Sequence, residues 1–378
     1  MSLEMMGGDK EFLRSSDAPS WRKAESSLRI VDLFCGCGGI TLGCAVAAHD
    51  LGLSLEVPLA LDFNPDALAC YKANFPTARA RCADISEMLQ GDWKAKLNVD
   101  ELGLRRDVGR VDMLVGGPPC QGHSDLNNFT RRHDPKNQLM KYMARAAVVF
   151  RPKAIVIENV VGSLSDSEGV VHSVETVFRK LGYYVNVGIL DFSEIGVPQR
   201  RKRMIMIATL GGEVKVAEIA TRYSTSPRTI DWAIRDLADT SGERLVDRVA
   251  VSQPQTRKRI DYLFDNDLFE LPNSQRPPCH RDKDHSYNTV YGRLRWEGVA
   301  QTITSGFYSM CMGRYVHPSR RRTLTGREAA RLQFFPDFFD FSAAKSRSKL
   351  AEIIGNAVPP KGAYAIARSL IPAILTGK

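Results

Sequence analysis

The sequence lacks several features that mark common classes of protein. None of its eight cysteines forms a CxxC pair, which argues against zinc ribbons and thioredoxin-like redox sites. No apolar run approaches the ~18 residues that a membrane-spanning helix needs, and the first residues carry no apolar signal-peptide segment. Internal repeats and low-complexity tracts are also absent. We therefore expect a cytoplasmic globular protein with reduced thiols. Whether the first residues are native or an added leader stays open.

A metal site finds little support. Cys279, His280 and His285 lie close together, but a fourth ligand is not apparent, and a tetrahedral zinc site takes four. Cys35 and Cys37 likewise lack a second pair of ligands. We expect no bound metal.

The charge balance is basic. The chain has 378 residues, enough for one large domain and a smaller one, with 43% hydrophobic and 25% charged residues. Lys and Arg number 52 against 43 Asp and Glu, which gives a formal net charge of +9. An excess of this size suits a polyanionic partner such as nucleic acid but does not decide for one.

Short apolar runs alternate with helical patterns over the first 210 residues. Alternation of this kind predicts an α/β protein with a doubly wound, mostly parallel sheet. The predicted strands are 28–34, 59–62, 80–84, 111–115 and 154–158, followed by a hairpin of 184–190 and 203–209. The predicted helices include 40–51, 66–74 and a C-terminal helix from Lys361.

The regular alternation stops near residue 210. Residues 211–322 are rich in Arg, Asp, Pro and Ser. We interpret them as a smaller domain, which a hinge at 323–344 connects to a larger domain of residues 28–210 and 345–378. Residues 1–27 form a polar extension that we expect to be loosely ordered.

Side chains capable of chemistry follow several of the predicted strands. Ligands of open α/β sheets bind at the carboxyl ends of the strands. Five residues fall at such ends: Phe34, Asp62, Asp84, Cys120 and Glu158. We expect them to lie along one edge of the sheet and to form the functional site.

The first strand, a glycine-rich turn and a helix predict a place for a nucleotide-like ligand. The turn from Cys35 to Gly39 is not a GxGxxG motif, and it has no P-loop lysine, which argues against ATP hydrolysis. Asp62, about twenty residues later, stands where an acid can hold ribose hydroxyls. A plain strand-to-helix turn explains the glycines about as well, so this pattern alone leaves the ligand open.

Cys120 stands in a rigid setting. Two glycines and two prolines precede it in GGPPC (116–120), and the prolines restrict the backbone there. A nucleophilic cysteine needs nearby positive charge or dipoles, which QRRKR (199–203) supplies, and Glu158 ends the next strand. Alone, each residue has an ordinary structural explanation. Together they indicate covalent attack on a polar heteroaromatic ring.

In their order along the chain, these motifs resemble the DNA cytosine-5 methyltransferase family. The matching segments are DLFCGCGG (32–39), DFNP (62–65), DI (84–85), GPPCQG (117–122), ENV (158–160), GVPQRRKR (196–203), AQTIT (300–304), LTGRE (324–328) continuing through Pro336, and GNAVP (355–359). Each segment is modest alone, but the ordered set is specific and spans nearly the whole chain. The resemblance implies a Rossmann-like methyltransferase fold, S-adenosylmethionine as cofactor, S-adenosylhomocysteine as product and double-stranded DNA as substrate.

The resemblance also implies roles for single residues. Cys120 would attack C6 of a cytosine extruded from the duplex, and Glu158 would hold the N3 and N4 edge of that base. Arg203, with Arg201 supporting the charge, would bind the base at O2. The implied cofactor contacts are Phe34, Gly36, Gly38, Gly39, Asp62, Phe63, Asp84, Ile85, Pro119, Asn356 and Val358. The candidate DNA contacts are Gln121, Ser124, Arg131, Arg132, Gln199, Arg228, Arg257, Arg259, Arg293 and Thr302.

Two positions depart from the family pattern. His123 stands where members often have Phe, and Asp62 stands where many have Glu; neither changes the reaction we expect. One branch of the family methylates tRNA, but its Cys-Phe-Thr signature is not found here. A catalytically silent relative would be expected to have lost Cys120, Glu158 or the glycines. An amino-methyltransferase needs an aromatic residue where Cys120 stands.

Biological context is not readable from these motifs. The DNA recognition sequence, a cognate restriction endonuclease, an orphan role and a phage origin all stay open. One chain holds all the parts of the expected site, so we expect a monomer.

Overall fold

Seven strands of the computed structural model form a single sheet. The structure describes residues 8–21, 24–119, 139–165, 169–281 and 290–376. Within them the strand order is β3-β2-β1-β4-β5-β7-β6. The strands are β1 Ser27–Leu33, β2 Ser54–Asp62, β3 Ala80–Cys82, β4 Met113–Gly116, β5 Ala154–Val160, β6 Tyr184–Asp191 and β7 Lys202–Thr209. β1 to β5 are parallel, and β7 is antiparallel to both β5 and β6. The predicted α/β class, with its final hairpin, is confirmed.

Helices cover both faces of the sheet. The first half of the chain contributes α1 Asp9–Arg14, α2 Gly39–Asp50, α3 Pro65–Asn74, α4 Ile85–Met88, α5 Val99–Val108, α6 Met140–Phe150 and α7 Val170–Lys180. The second half contributes α8 Val216–Arg222, α9 Ile230–Ile234, α10 Pro254–Asp265, α11 Pro278–Arg281, α12 Gly326–Leu332, α13 Arg347–Asn356 and α14 Pro360–Thr376. The C-terminal helix therefore begins one residue before its predicted start.

The alternation of side chains along each strand builds two cores. On β5, Ala154 and Val156 face a core that includes α2 and α14, whereas Ile155 and Ile157 face α5, α6 and α7. All four side chains are at least 95% buried. A strand covered on both faces has a continuous apolar sequence, and this pattern made β5 easy to predict.

The bounds of two strands, β3 and β2, differ from the prediction, each for a different reason. The predicted strand 80–84 ends at Cys82, because Asp84 is the N-cap of α4 and accepts a hydrogen bond from Ser86 N. β2 begins at Ser54, before its predicted start, because its first residues pair with β1 while remaining partly exposed. Partial exposure there removed the apolar signal.

The prediction of a loosely ordered extension is wrong for residues 9–14. They form α1, whose Phe12 and Leu13 are buried in the same core as α2 and α14. Asp9 is buried as well and forms a 2.6 Å ion pair with the buried Lys361 on α14. A short apolar pair flanked by charges is a weak helix signal, and tertiary packing decides here.

The segment 211–322 packs in two ways. α8 lies against β6, and Ile230, Ala233 and Ile234 of α9 belong to the core beneath the large sheet. A separate small core forms farther along, from Ile260, Leu263, Leu271, Tyr291, Met310 and Val316. The domain boundaries stay a prediction, with this second core as the natural centre of a small domain.

The described residues contain neither a candidate membrane-spanning helix nor a candidate metal-binding cluster. No helix among them has the length and apolar character to cross a bilayer. No group of three or more His, Cys, Asp or Glu among them could hold a metal ion.

Candidate active site at the carboxyl edge of the sheet

Asp62 ties the glycine turn after β1 to the end of β2. One oxygen of its carboxylate accepts a 2.8 Å hydrogen bond from Gly36 N, and the other accepts one of 2.8 Å from Asn64 N. Burial raises the pKa of Asp62, while these backbone donors oppose the rise. Phe34, with φ of 59°, turns the chain sharply beside this carboxylate. The two strand ends predicted to meet do so through Asp62.

The start of α2 lies against the chain that returns from the C-terminal third. A Cβ on Gly39 would lie 2.2 Å from the carbonyl oxygen of Val358, and Gly38 has φ of 98°. Both positions therefore require glycine, one for space and one for conformation. Val358 is thereby placed beside the glycine turn, and its predicted contact with the cofactor stays a prediction.

An apolar and an acidic side chain are exposed near the same edge. Phe63 is 65% exposed although it directly follows Asp62. Asp84 is exposed and accepts hydrogen bonds from Ser86 N and Oγ, and the hydroxyl hydrogen bond lowers the pKa of Asp84. Ile85 is buried. An exposed ring close to carboxylate acceptors is suited to stacking on a base while hydroxyl or amino groups are held.

The Pro-Pro segment after β4 approaches the end of β5. Asn159, which is buried, donates from Nδ2 to the carbonyl oxygen of Pro118 at 3.3 Å. A Cβ on Gly117 would lie 3.4 Å from Glu158 Oε2 and 3.7 Å from Val358 Cγ2. Pro119 is the last described residue before 139. The backbone that leads to Cys120 therefore passes directly beside Glu158.

Glu158 and Arg203 form an ion pair on neighbouring strands. Arg203 Nε lies 2.9 Å from Glu158 Oε1, and the two side chains are only 15% and 12% exposed. Glu158 Oε1 nevertheless accepts no well-directed hydrogen bond from any described residue. A partly buried carboxylate with remaining acceptor capacity is suited to hold the donor edge of a heteroaromatic base.

Arg201 differs from Arg203 in that it turns into the protein. Its guanidinium donates to the carbonyl oxygens of Ile303, Gly355 and Ala357 at 3.1 to 3.4 Å. Burial, with a contribution from Arg203, lowers the pKa of Arg201 to about 9. Arg201 therefore supports the site from behind.

Comparison with known proteins assigns the family. The family model described as C-5 cytosine-specific DNA methylase matches residues 28–372. The chain is 41% identical to the type II methyltransferase M1.BsuMI of Bacillus subtilis, over 95% of this chain and 84% of that protein. It is 31% identical to the type II methyltransferase M1.HphI of Haemophilus parahaemolyticus, over 91% and 87% of the two chains.

The chain belongs to the C-5 cytosine-specific DNA methylase family. It is a DNA cytosine-5 methyltransferase homologous to type II methyltransferases.

Solved structures agree with this fold. A putative DNA modification methyltransferase encoded within an Escherichia coli prophage superposes with a TM-score of 0.67 and 23% identity, over 92% of this chain and all of that one. The Schizosaccharomyces pombe Dnmt2 methyltransferase superposes with a TM-score of 0.63 and 19% identity, over 91% and 99% of the chains. At such identities the likeness shows the fold alone.

Part of the methyltransferase's predicted site lies outside the described residues. These residues are Cys120, Gln121, His123, Ser124, Arg131 and Arg132. Their roles stay predictions. Asn356, by contrast, is described: it is exposed at the end of α13, two residues before Val358.

Gln199 has a different role from the predicted DNA contact. Its side chain is completely buried. Its Nε2 donates to Leu332 O and Gln333 Oε1, and its Oε1 accepts from Ile303 N. An amide whose donors and acceptor are used inside the methyltransferase is not available to DNA.

The predicted DNA-contacting arginines also have partners within the protein. Arg228 lies 3.8 Å from Asp9 and 4.9 Å from the Trp232 ring centre. Arg293 donates to Pro318 O and lies over two phenylalanine rings. These contacts within the protein give both arginines a structural role, and that role explains their presence without a contact to DNA.

Three candidates remain closer to solvent. Arg257 is exposed on α10 and pairs with Asp261 at 3.3 Å. Arg259 donates to a carbonyl oxygen, that of Gln275. Thr302 donates from Oγ1 to the carbonyl oxygen of Arg200 at 2.7 Å, and its own carbonyl oxygen accepts from the Tyr315 hydroxyl. For these residues a DNA role stays a prediction.

Several buried polar residues were not predicted to have a structural role. Gln333, Asp9 and Lys361 are each less than 2% exposed. Gln333 lies within the matched segment 324–336, but no role was assigned to it, and Asp9 and Lys361 belong to no recognised motif. A signal for Gln333 was present, because a single amide inside the apolar run LQFF (332–335) must find hydrogen-bond partners when buried. For Asp9 and Lys361, 352 residues apart, the sequence offered no such signal.

Proposed function

We propose that this methyltransferase transfers a methyl group from S-adenosylmethionine to C5 of a cytosine in a specific double-stranded DNA sequence, through a covalent bond between Cys120 and C6. The observation that carries the proposal is the Glu158–Arg203 pair beside the backbone that leads to Cys120. The carboxylate and the guanidinium suit the polar edge of a cytosine, and the thiol of Cys120 is proposed to attack its electrophilic carbon.

The residues near the glycine turn fit a nucleoside cofactor. Asp62 offers carboxylate oxygens for ribose hydroxyls, and exposed Phe63 with Phe34 offers apolar surface for the base. Asp84 and Ile85 would contact the adenine edge. The remaining contacts would come from Gly36, Gly38, Gly39, Pro119, Asn356 and Val358. When bound, S-adenosylmethionine supplies the methyl group.

The proposed reaction uses the chain's own groups in a closed cycle. The Cys120 thiolate forms a bond to C6, and the electron pair of the C5–C6 double bond becomes available at C5. Glu158 holds a proton at N3 and Arg203 faces O2, so the charge on the ring is stabilised. C5 takes the methyl group and then loses its proton to a solvent water that acts as the base. Re-formation of the double bond expels the Cys120 thiolate.

The base must leave the helix to reach this site. Extrusion costs a few kcal/mol in unstacking and unpairing, which contacts to the surrounding DNA must offset. The candidate contacts at Gln121, Ser124, Arg131 and Arg132 adjoin Cys120 in sequence and are proposed for this purpose. Arg257, Arg259 and Thr302 are proposed as further contacts.

The biological setting is proposed from the relatives. Two relatives are named type II methyltransferases, so we propose that this enzyme modifies DNA in a restriction-modification system with a cognate endonuclease. We further propose that it acts as a cytoplasmic monomer, because one chain contributes every residue named above.

A labelling experiment tests the proposal. Purified protein is incubated with methyl-labelled S-adenosylmethionine and either double-stranded DNA or total tRNA, and the nucleosides are separated after digestion. We expect label in 5-methyldeoxycytidine from DNA. Label in tRNA alone would favour the RNA-modifying branch of the family. Label in N4-methyldeoxycytidine would contradict the covalent mechanism. A matched Glu158→Gln variant should lose about 10²- to 10⁴-fold in rate, whereas Glu175→Gln, at a half-buried residue of α7 that pairs with Arg179, should not.

A further inference from the structure

A chain of buried amides links the small segment after residue 300 to the end of α13. Ile303 N donates to Gln199 Oε1 at 3.0 Å, and Gln199 Nε2 donates to Gln333 Oε1 at 2.5 Å. Gln333 Nε2 in turn donates to Ile354 O at 2.6 Å. The order of donors and acceptors fixes the orientation of both amides, because reversing either one would place two acceptors or two donors together.

Gln333 completes the C-terminus of α13. The last carbonyl groups of a helix have no partners within it, and the residue after α13 is extended rather than a left-handed glycine. Gln333 Nε2 lies 2.6 Å from Ile354 O and 3.4 Å from both Gly355 O and Ala357 O. A single side-chain amide therefore serves as the cap of this helix.

Arg201 binds two of the same carbonyl oxygens. Its guanidinium donates to Gly355 O at 3.3 Å and to Ala357 O at 3.1 Å. The carbonyls on either side of Asn356 are thus held by two buried side chains, one from the residue just before β7 and one from the residue just after α12. Both side chains are at most 3% exposed. The backbone from Gly355 to Val358 has little freedom to choose another path.

We propose that Gln333 is a positioning residue for the cofactor site: its amide holds the turn that presents Asn356 and Val358 beside the glycine turn. The inference rests on the proposed cofactor role of those two residues. Gln333 itself lies behind the turn and is completely buried. Its effect on the cofactor therefore passes through the backbone of residues 355–358.

A positioning role predicts that substitution of Gln333 weakens cofactor binding without slowing the chemical step. In Gln333→Met the turn loses its amide donor, so the dissociation constant for S-adenosylhomocysteine, measured by calorimetry, should rise about tenfold or more. The rate at saturating cofactor and the dissociation constant for DNA should stay within about threefold of the wild type. Gln275→Met, at an exposed glutamine on a short 3₁₀ turn, is the matched control and should change neither.

A second variant tests whether the hydrogen bond itself matters. Gln333→Glu keeps the size of the side chain but faces the carbonyls with an acceptor when ionised. Because a buried carboxyl that faces carbonyls has a raised pKa, lowering the pH from about 8 to about 5.5 should protonate it and restore a donor. The affinity of Gln333→Glu for S-adenosylhomocysteine should then recover toward wild type, whereas that of Gln333→Met should not.

The outcomes distinguish an error in the proposed cofactor from an error in the positioning role of Gln333. If the wild-type protein does not bind S-adenosylhomocysteine, the proposed cofactor is wrong, whatever Gln333 does. If the wild type binds but Gln333→Met binds equally well, the positioning role is wrong and the proposed function is untouched. Parallel losses of cofactor affinity, DNA affinity and rate, with no recovery of Gln333→Glu at low pH, would reduce Gln333 to a fold-stabilising residue. Should Gln333→Met fail to fold, the pH dependence of Gln333→Glu decides.

Discussion

The carboxyl edge of the sheet and the segment 211–322 both carry predicted functional residues, yet their side chains have different surroundings in the structure. At the sheet edge Asp62 bonds to the glycine turn, Val358 lies beside that turn, and Glu158 pairs with Arg203. In the segment 211–322, Arg228 and Arg293 are partly buried against acids, rings and carbonyls of the same chain. Parallel strands end at one edge by topology, whereas the partner of an arginine depends on local contacts.

The largest expected effect concerns the sheet edge. Cys120→Ala removes the nucleophile and should lower the methylation rate by about 10⁴-fold or more, while cofactor and DNA affinities stay within about threefold. Steady-state methylation with labelled cofactor measures the rate, and titration measures the affinities for cofactor and DNA. Cys279→Ala, at an exposed cysteine in the segment 211–322, is the matched control. Turnover of Cys120→Ala within tenfold of wild type would contradict covalent catalysis.

A large effect on stability is expected at α1, which belongs neither to the carboxyl edge of the sheet nor to the segment 211–322. Asp9→Ala leaves the buried Lys361 without its carboxylate partner, so the free energy of unfolding should fall by about 3–5 kcal/mol. Urea denaturation followed by circular dichroism measures the change. Asp17→Ala, at an exposed residue just after α1, should alter stability by less than about 0.5 kcal/mol. Equal effects of the two substitutions would show that α1 is not part of the core.

An intermediate effect is expected at the cofactor side of the sheet edge. Asp62→Ala removes the proposed acceptor for ribose hydroxyls and should raise the cofactor dissociation constant about tenfold to a hundredfold, with DNA affinity unchanged. Asp62→Glu retains a carboxylate and should lose only a few fold. Calorimetric titration with S-adenosylhomocysteine provides the comparison. An unchanged constant for Asp62→Ala would remove Asp62 from the cofactor site.

The smallest effect is expected in the segment 211–322. Arg257 pairs with Asp261 on the surface of α10, so Arg257→Ala should weaken DNA binding by less than about threefold. Lys258→Ala, at the exposed neighbouring residue, controls for the loss of one positive charge. If Arg257→Ala weakens DNA binding no more than Lys258→Ala does, Arg257 is not the proposed DNA contact. A loss of more than tenfold, with the salt dependence of log K lowered by about one unit, would contradict a weak contact and show a strong one to a phosphate.

The sequence predicted the sheet and its edge because both depend on local patterns. Apolar runs such as Ala154 to Ile157 and turn residues such as Gly38 act over short distances, and sheet topology converts them into a common site. It did not predict α1, nor the roles of Gln199 and Gln333. α1 and Gln199 depend on contacts between residues more than a hundred positions apart, and the cap that Gln333 provides for α13 depends on a contact across 21 positions, so local patterns do not encode these roles.

The most direct test is bisulfite sequencing of genomic DNA from a methylation-free host that expresses this protein, beside the same host expressing Cys120→Ala. The account predicts cytosines that resist conversion at one short sequence in the first culture and none in the second, which would also give the recognition sequence. Complete conversion in both cultures, with soluble protein that binds S-adenosylhomocysteine, would contradict DNA cytosine-5 methylation by this chain.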